Sequence, residues 1–192
     1  MSTGTDAILV GAPLTATGGV LFADPAVAGP TNATTALDVG FKEGGYVGED
    51  GVTRTTDASD EKIKAWGGDV VKIVRTEHSI TYTFQFMESA NAEVLKLIHG
   101  EDNVIIVPAV PGTSSGTVTV KQTSKLPPRK QFVLDMIDAT NTIREYIKDG
   151  QLTSSGDVVF VHSDVIRYSV TIEAFPDDDG VKAITYMDDG LG

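Results

Sequence analysis

The feature that most constrains this chain is a run of strict alternation. Ile80, Tyr82, Phe84 and Phe86 fall on one side of it, and Thr81, Thr83, Gln85 and Met87 on the other. A period of two describes a strand with one apolar and one mostly polar face. The β-branched and aromatic residues in the run favour the same conformation. It closes a longer stretch, from Lys64 to Glu88, that opens with the single tryptophan, Trp66, and a Gly67-Gly68 break. An apolar strand face has to be covered, and a polar one has to meet water or a partner.

Similar patterns recur along the chain. Leu37, Val39 and Phe41 alternate with Asp38, Gly40 and Lys42, which predicts a strand over 37–43. Residues 165–175 place Ile166, Tyr168, Val170, Ile172 and Ala174 inward, with Arg167, Ser169, Thr171 and Glu173 outward. Pro176-Asp177-Asp178-Asp179-Gly180 is a turn, a solvated hairpin tip in preference to a cation site, and 181–187 the returning strand. Val104-Ile105-Ile106-Val107, ended by Pro108, reads as a buried strand, and 117–121 and 132–138 as two more. Residues 157–161 lead to a turn at 162–164. Residues 142–148 are open to two readings. Ile143, Tyr146 and Ile147 suit a helix, Ile143, Glu145 and Ile147 alternate, and the turn-like segment 138–141 favours a hairpin. Asn91 caps a short helix with a buried stripe of Val94, Leu95, Leu97 and Ile98, and Gly100 fits its end. Many short strands with regular turns give a mainly β fold, a sandwich or barrel with one short packed helix and a long inter-strand loop.

Two regions stand apart from this pattern. Residues 1–36 mix short apolar patches with Ala, Gly, Thr and Pro, and are either a frayed terminus or an arm that orders against a neighbouring subunit. Residues 44–62 form a polar excursion in which Asp50-Gly51 marks a tight turn. Unstructured loops this long are unusual inside compact domains and are often functional. The domain division expected is therefore an arm, 1–36, and a β domain, 37–192, containing a loop at 44–68.

Composition narrows the function. The 192 residues fit one domain, and the formal net charge of −12 argues against tight nucleic-acid binding. Lys121, Lys125, Arg129 and Lys130 cluster without interleaved aromatics, so they suggest a solvated loop or a contact to an acidic neighbouring subunit. The chain has no cysteine, no basic leader is evident at its start, and no apolar run approaches a membrane span. His78, His99 and His162 lie singly, with His99 in a local structural role at the helix end. No nucleophile elbow, phosphate loop or dinucleotide-binding glycine pattern occurs. No catalytic, cofactor-binding or metal-binding residue is assigned, and the chain is not expected to be an enzyme.

The ordered features resemble the major tail protein of long, non-contractile-tailed bacteriophages, especially those of actinobacterial hosts. The residues that carry the resemblance are Asp38-Val39-Gly40-Phe41-Lys42-Glu43-Gly44-Gly45-Tyr46-Val47-Gly48-Glu49-Asp50-Gly51-Val52 and Ile63-Lys64-Ala65-Trp66-Gly67-Gly68-Asp69-Val70-Val71. Phe84-Gln85-Phe86-Met87-Glu88-Ser89-Ala90-Asn91 and the helix closed by Gly100 follow. Gly156-Asp157-Val158-Val159 and the segment from Tyr168 to Asp177 complete the set.

The resemblance implies a structural virion protein of the phage tail, made in the host cytoplasm. It implies stacked hexameric rings whose strands close into one β-barrel around a DNA channel. The implied partners are further copies of the chain, a tape-measure protein, tail-terminator and distal tail proteins, and double-stranded DNA in transit without specific binding, with no membrane. Loop 44–68 then becomes the contact between rings, through Tyr46, Glu49, Asp50, Arg54, Asp57, Asp60, Glu61, Lys62 and Trp66. Trp66 is expected to anchor the loop against the body or the next ring. If strand 37–43 pairs with strand 69–88, Asp38, Lys42, Thr81, Thr83 and Gln85 share a polar face that lines the channel or forms the outside of a sandwich. The alternative function is a β-sandwich adhesion or carbohydrate-binding module of a phage tail or cell surface.

Overall fold

The computed structural model describes residues 8–189. In chain order the elements are β1 Ala12–Pro13, β2 Val20–Ala23, β3 Lys42–Glu43, β4 Thr53–Lys64, β5 Val70–Phe86, α1 Ala92–His99, β6 Val104–Val107, β7 Thr117–Val120, β8 Lys130–Asp138, β9 Asn141–Ser155, β10 Tyr168–Ala174 and β11 Ile184–Asp188. Nine strands make one sheet in the order β3-β2-β8-β9-β10-β5-β4, with β1 added to β8 and β11 to β9. Strands β6 and β7 form a separate two-stranded sheet. The mainly β expectation with one short helix is met. Among the described residues the sheet does not close on itself within one chain.

Strand β9 is the pivot. One flank pairs with β8, while the other pairs first with β11 through Thr142–Tyr146 and then with β10 through Gly150–Ser155. The hand-over falls at Gly150. A Cβ there would lie 2.8 Å from the Phe132 ring and 3.1 Å from Ile172, so the strand bends where only glycine lets the neighbours close in.

The alternating strands bury the faces their sequences indicate. Tyr82, Phe84 and Phe86 of β5 pack with Val170 and Ile172 of β10, Leu152 of β9, and Phe132 and Leu134 of β8. Phe84 and Phe86 meet edge to face, with ring centroids 4.9 Å apart. Helix α1 lays Val94, Leu97 and Ile98 on the same cluster. The helix forms where expected. The Asn91 side chain accepts from the Glu93 and Val94 amides, and the Gly100 amide donates to the Lys96 carbonyl. His99 sits edge-on to Tyr168, and burial lowers its pKa.

The opposite face of β8 and β9 carries a second cluster of Ala23, Phe41, Val133 and Tyr146. The segment between β2 and β3 covers it. Arg144 pins that segment, donating to the Asn32 and Thr35 carbonyls at 3.1 and 2.7 Å while its other nitrogens grip Asp135 at 2.6 and 2.8 Å. The pair is buried and every charge is met, the condition under which a buried ion pair is tolerated.

Several expectations are corrected. Residues 37–43 do not form a strand. Asp38 caps a turn, accepting from the Gly40 amide at 2.8 Å, and Val39 projects into solvent at its tip, 95% exposed. Only Lys42–Glu43 pairs, and its partner is β2, so the predicted hairpin between 37–43 and 69–88 is absent. Val20, Phe22 and Ala23, placed in the expected arm, belong to the core of the body; residues 1–7 of that arm lie outside the described residues. The polar excursion becomes a long strand, β4. The run Val104–Val107 is a strand with only Val104 buried. Residues 184–188 return not to β10 but to β9. The segment 138–141 is the tight turn of the β8–β9 hairpin, which resolves the two readings of 142–148. Of the basic cluster, Arg129 pairs with Asp149 and stacks on Phe175, and Lys130 pairs with Asp24, all in the same chain.

Candidate assembly interface

Strands β4 and β5 pair from Thr53↔Thr83 to Lys64↔Val70. β10 supports β5 only from Thr81 to Phe86. Beyond that the two strands leave the body as a ribbon, exposed along all of β4 and along β5 from Val70 to His78. About ten residues at ~3.3 Å each make an arm roughly 30 Å long. Its turn is set by Gly68, at φ +93°, with the Ala65 amide donating to the Asp69 carbonyl at 2.8 Å. Arg75 and Asp60 pair across the ribbon at 2.9 Å, beside a bulge after Ser59. That pair is exposed and contributes little. At the tip Trp66 is fully exposed and touches no part of the body. A lone two-stranded ribbon is marginal in water and gains stability from a third surface.

The base of the arm is tied down by a buried carboxylate. Glu145 of β9 accepts from Arg54 Nη1 at 2.8 Å, Tyr82 Oη at 2.6 Å and Thr185 Oγ1 at 2.6 Å, joining β4, β5, β9 and β11. Burial pushes its pKa up, but the three donors outweigh burial and hold it below the ordinary glutamate value. Burial, reinforced by the bond to Glu145, raises the Tyr82 pKa.

The polar face of β5 extends sideways in register. Thr53, Thr83, Thr171 and Ser154 form one row across four strands, and Thr55, Thr81, Glu173 and Gln151 the next. Gln85 stands opposite Ser169, and the Thr83 and Thr171 hydroxyls meet at 3.2 Å. The result is a sheet face of hydroxyl and amide groups with one carboxylate, Glu173, backed by the aromatic core.

The residues singled out from the sequence divide. Thr81, Thr83 and Gln85 share this face, whereas Asp38 lies in its turn and Lys42 on β3, at the far side of the sheet, so the predicted five do not form one surface. Asp57, Asp60, Glu61, Lys62 and Trp66 lie on the arm, with Arg54 at its base. Tyr46, Glu49 and Asp50 lie at the other end of β5, where the Met87 amide donates to the Tyr46 carbonyl and the Gly48 amide to the Gln85 carbonyl, both at 2.9 Å. The outward set Ser169, Thr171 and Glu173 of β10 was legible, whereas the roles of Glu145 and Thr185 were not. A glutamate in an alternating segment carries no mark of three converging donors.

No curated protein matches the chain at a significant level. Among solved structures, the chain is similar to the sheath/tube terminator of an extracellular contractile injection system, the PVC, at 9% identity and TM-score 0.38, over 70% of this chain and 81% of that one. It is similar to a chain of the sheath-tube complex of the same kind of system at 10% identity and TM-score 0.40, over 96% and 98%. The anti-feeding prophage tube-terminating cap gives 8% identity and TM-score 0.41, over 98% and 100%. The profile of a family described as phage tail tube protein matches residues 1–191, all but the last residue of the chain. The chain therefore belongs to the phage tail tube protein family, as a structural protein of the virion tail.

Proposed function

We propose that the chain assembles as hexameric rings stacked into a tube, and that the β9–β10–β5–β4 face lines its channel. The observation that carries this reading is the open edge of the sheet. β4 has no partner on its outer side among the described strands, and its residues are exposed from end to end. A long unpaired edge invites pairing with another chain, and closing a ring removes it. On the opposite edge of the same face, the C-terminal part of β9 pairs with β10 alone beyond Gly150. Joining β4 of one copy to this part of β9 in the next continues the sheet around the ring.

In such a ring Thr53, Thr55, Thr81, Thr83, Gln85, Ser169, Thr171 and the acidic Glu173 face the channel. Hydroxyl and amide groups in a chain of net charge −12 offer a passing polyanion few cations to stick to. This suits DNA in transit and a tape-measure protein before it, with terminator and distal tail proteins closing the ends. The role is structural and non-enzymatic. The arm, with Asp57, Asp60, Glu61, Lys62 and Trp66, makes the contact between rings. Residues Tyr46, Glu49 and Asp50, at the other end of the sheet, join that contact from the neighbouring ring.

Negative-stain microscopy of the purified chain at high concentration tests the assembly, and cysteines at Thr83 and Gln85 test the face. In capped tubes a bulky maleimide should reach neither position, and should label both in dissociated subunits. Fast labelling of intact capped tubes would place the face outside.

A further inference from the structure

The two ends of the β4–β5 ribbon differ in chemistry. The tip carries Trp66 and the exposed Val70 and Val71, flanked by Lys62, Lys64 and Lys72 against two acids, Glu61 and Asp69. It is a cationic, apolar point on a chain of net charge −12. At the other end the strands meet the loop that joins β9 to β10. That loop exposes Val159, Phe160, Val161 and Val165, with Phe160 75% exposed. Phe160 touches none of the buried core. Asp157, Val159, Asp164, Val165 and Arg167 line a cavity of about 160 Å³ beside Gln85 and Ser169. Glu49 and Asp50 stand at the same end, next to the Gly48–Gln85 hydrogen bond.

We propose that the apolar loop 157–165 is the socket for the arm tip of a second copy of this chain in the next ring. The inference rests on the stacked-ring reading and names the surface that receives the arm. Its occupant follows from complementarity. A cationic tip with an unburied indole meets unburied valines and a phenylalanine beside Asp157, Glu49 and Asp50, Asp164 being paired with Arg167 at 3.0 Å, and the two surfaces lie at opposite ends of one sheet, as head-to-tail stacking requires. The aromatic group and the valines supply the contact area, and the charges set register and direction. The inter-ring residues indicated by the sequence then fall into two sets, arm and socket, which are the two halves of one contact.

The chain contains no cysteine, so an introduced pair reports cleanly. The variant Trp66→Cys/Phe160→Cys, assembled and then oxidised, should give a ladder of covalent multimers that neither single variant gives. A second test uses charge. Lys64→Glu with Lys72→Glu should reduce pelletable tubes by about tenfold or more, and Glu49→Lys with Asp157→Lys should do the same. Combining all four should restore assembly. Well-formed tubes without a ladder would overturn the socket and leave the stacked-ring reading standing, as would a combined variant no better than either pair. Failure of the unaltered chain to self-associate at any salt or concentration would overturn both.

Discussion

The two halves of β5 make an instructive contrast. From Ile80 to Phe86 the strand alternates strictly, and Tyr82, Phe84 and Phe86 are buried. From Val70 to His78 it has a similar density of β-branched residues, yet every one of them is exposed. The first half pairs on both sides and has a helix on its apolar face. The second pairs on one side only, with a partner as exposed as itself. One continuous strand thus passes from a region buried within the chain to a region exposed in it, the region that the stacked-ring proposal places against another copy. Under the stacked-ring proposal the second half is surface that a tube subunit presents to its neighbours.

The largest effect should come from the buried half. Phe86→Ala removes a fully buried ring from the main cluster and should cost the isolated subunit about 3–5 kcal/mol, read as a lowered urea midpoint. A loss below about 1 kcal/mol would mean the cluster is not what holds the body.

Next is the junction between the halves. Glu145→Gln leaves Arg54 without its charged acceptor and should cost about 2 kcal/mol in the same measurement. The same carboxylate sets a pH dependence. Its folded pKa lies below the ordinary glutamate value of 4.5, so its contribution is complete above that pH and is lost as pH falls through the lower folded value. Acid unfolding of the unaltered protein should therefore steepen below pH 4.5, and Glu145→Gln should flatten that limb. An unchanged limb would remove Glu145 from the acid response.

The smallest effect on the subunit should come from the exposed half. Trp66→Ala should shift subunit stability by less than about 0.5 kcal/mol, because the ring is fully exposed among the described residues. Tube formation by the same variant should nonetheless be impaired. A large loss of subunit stability would show that the tip folds back on the body.

The contrast also explains what the sequence disclosed. The face of β5 over 80–86, the inward set of β10 and the stripe of α1 were legible because burial in the same chain imprints a period. The arm was not. Thr53–Lys64 is polar on both faces, since beyond Arg54 at its base it is exposed from end to end, and a strand without a buried side has no period to display. The one visible sign was the Gly67-Gly68 break ahead of the strand, and the partner expected for that strand, 37–43, was the wrong one. The run Val104–Val107 misled in the opposite direction. An apolar run signals burial without saying which molecule provides it, and here Ile105, Ile106 and Val107 remain exposed on a two-stranded sheet. Arg144 and Glu145 were obscured because β9 is covered on both faces, so polar residues there are buried and hydrogen-bonded where alternation would put one of them in water.

Amide hydrogen exchange across β5, in free subunits and in assembled tubes, tests the central claim most directly. In the free subunit, residues 80–86 should exchange slowly and residues 70–78 fast, a break within one strand. Assembly should slow 70–78 and 53–64 by orders of magnitude and change 80–86 little. Equal, strong protection of both halves in a verified monomer, or an arm as fast in tubes as in subunits, would contradict the account.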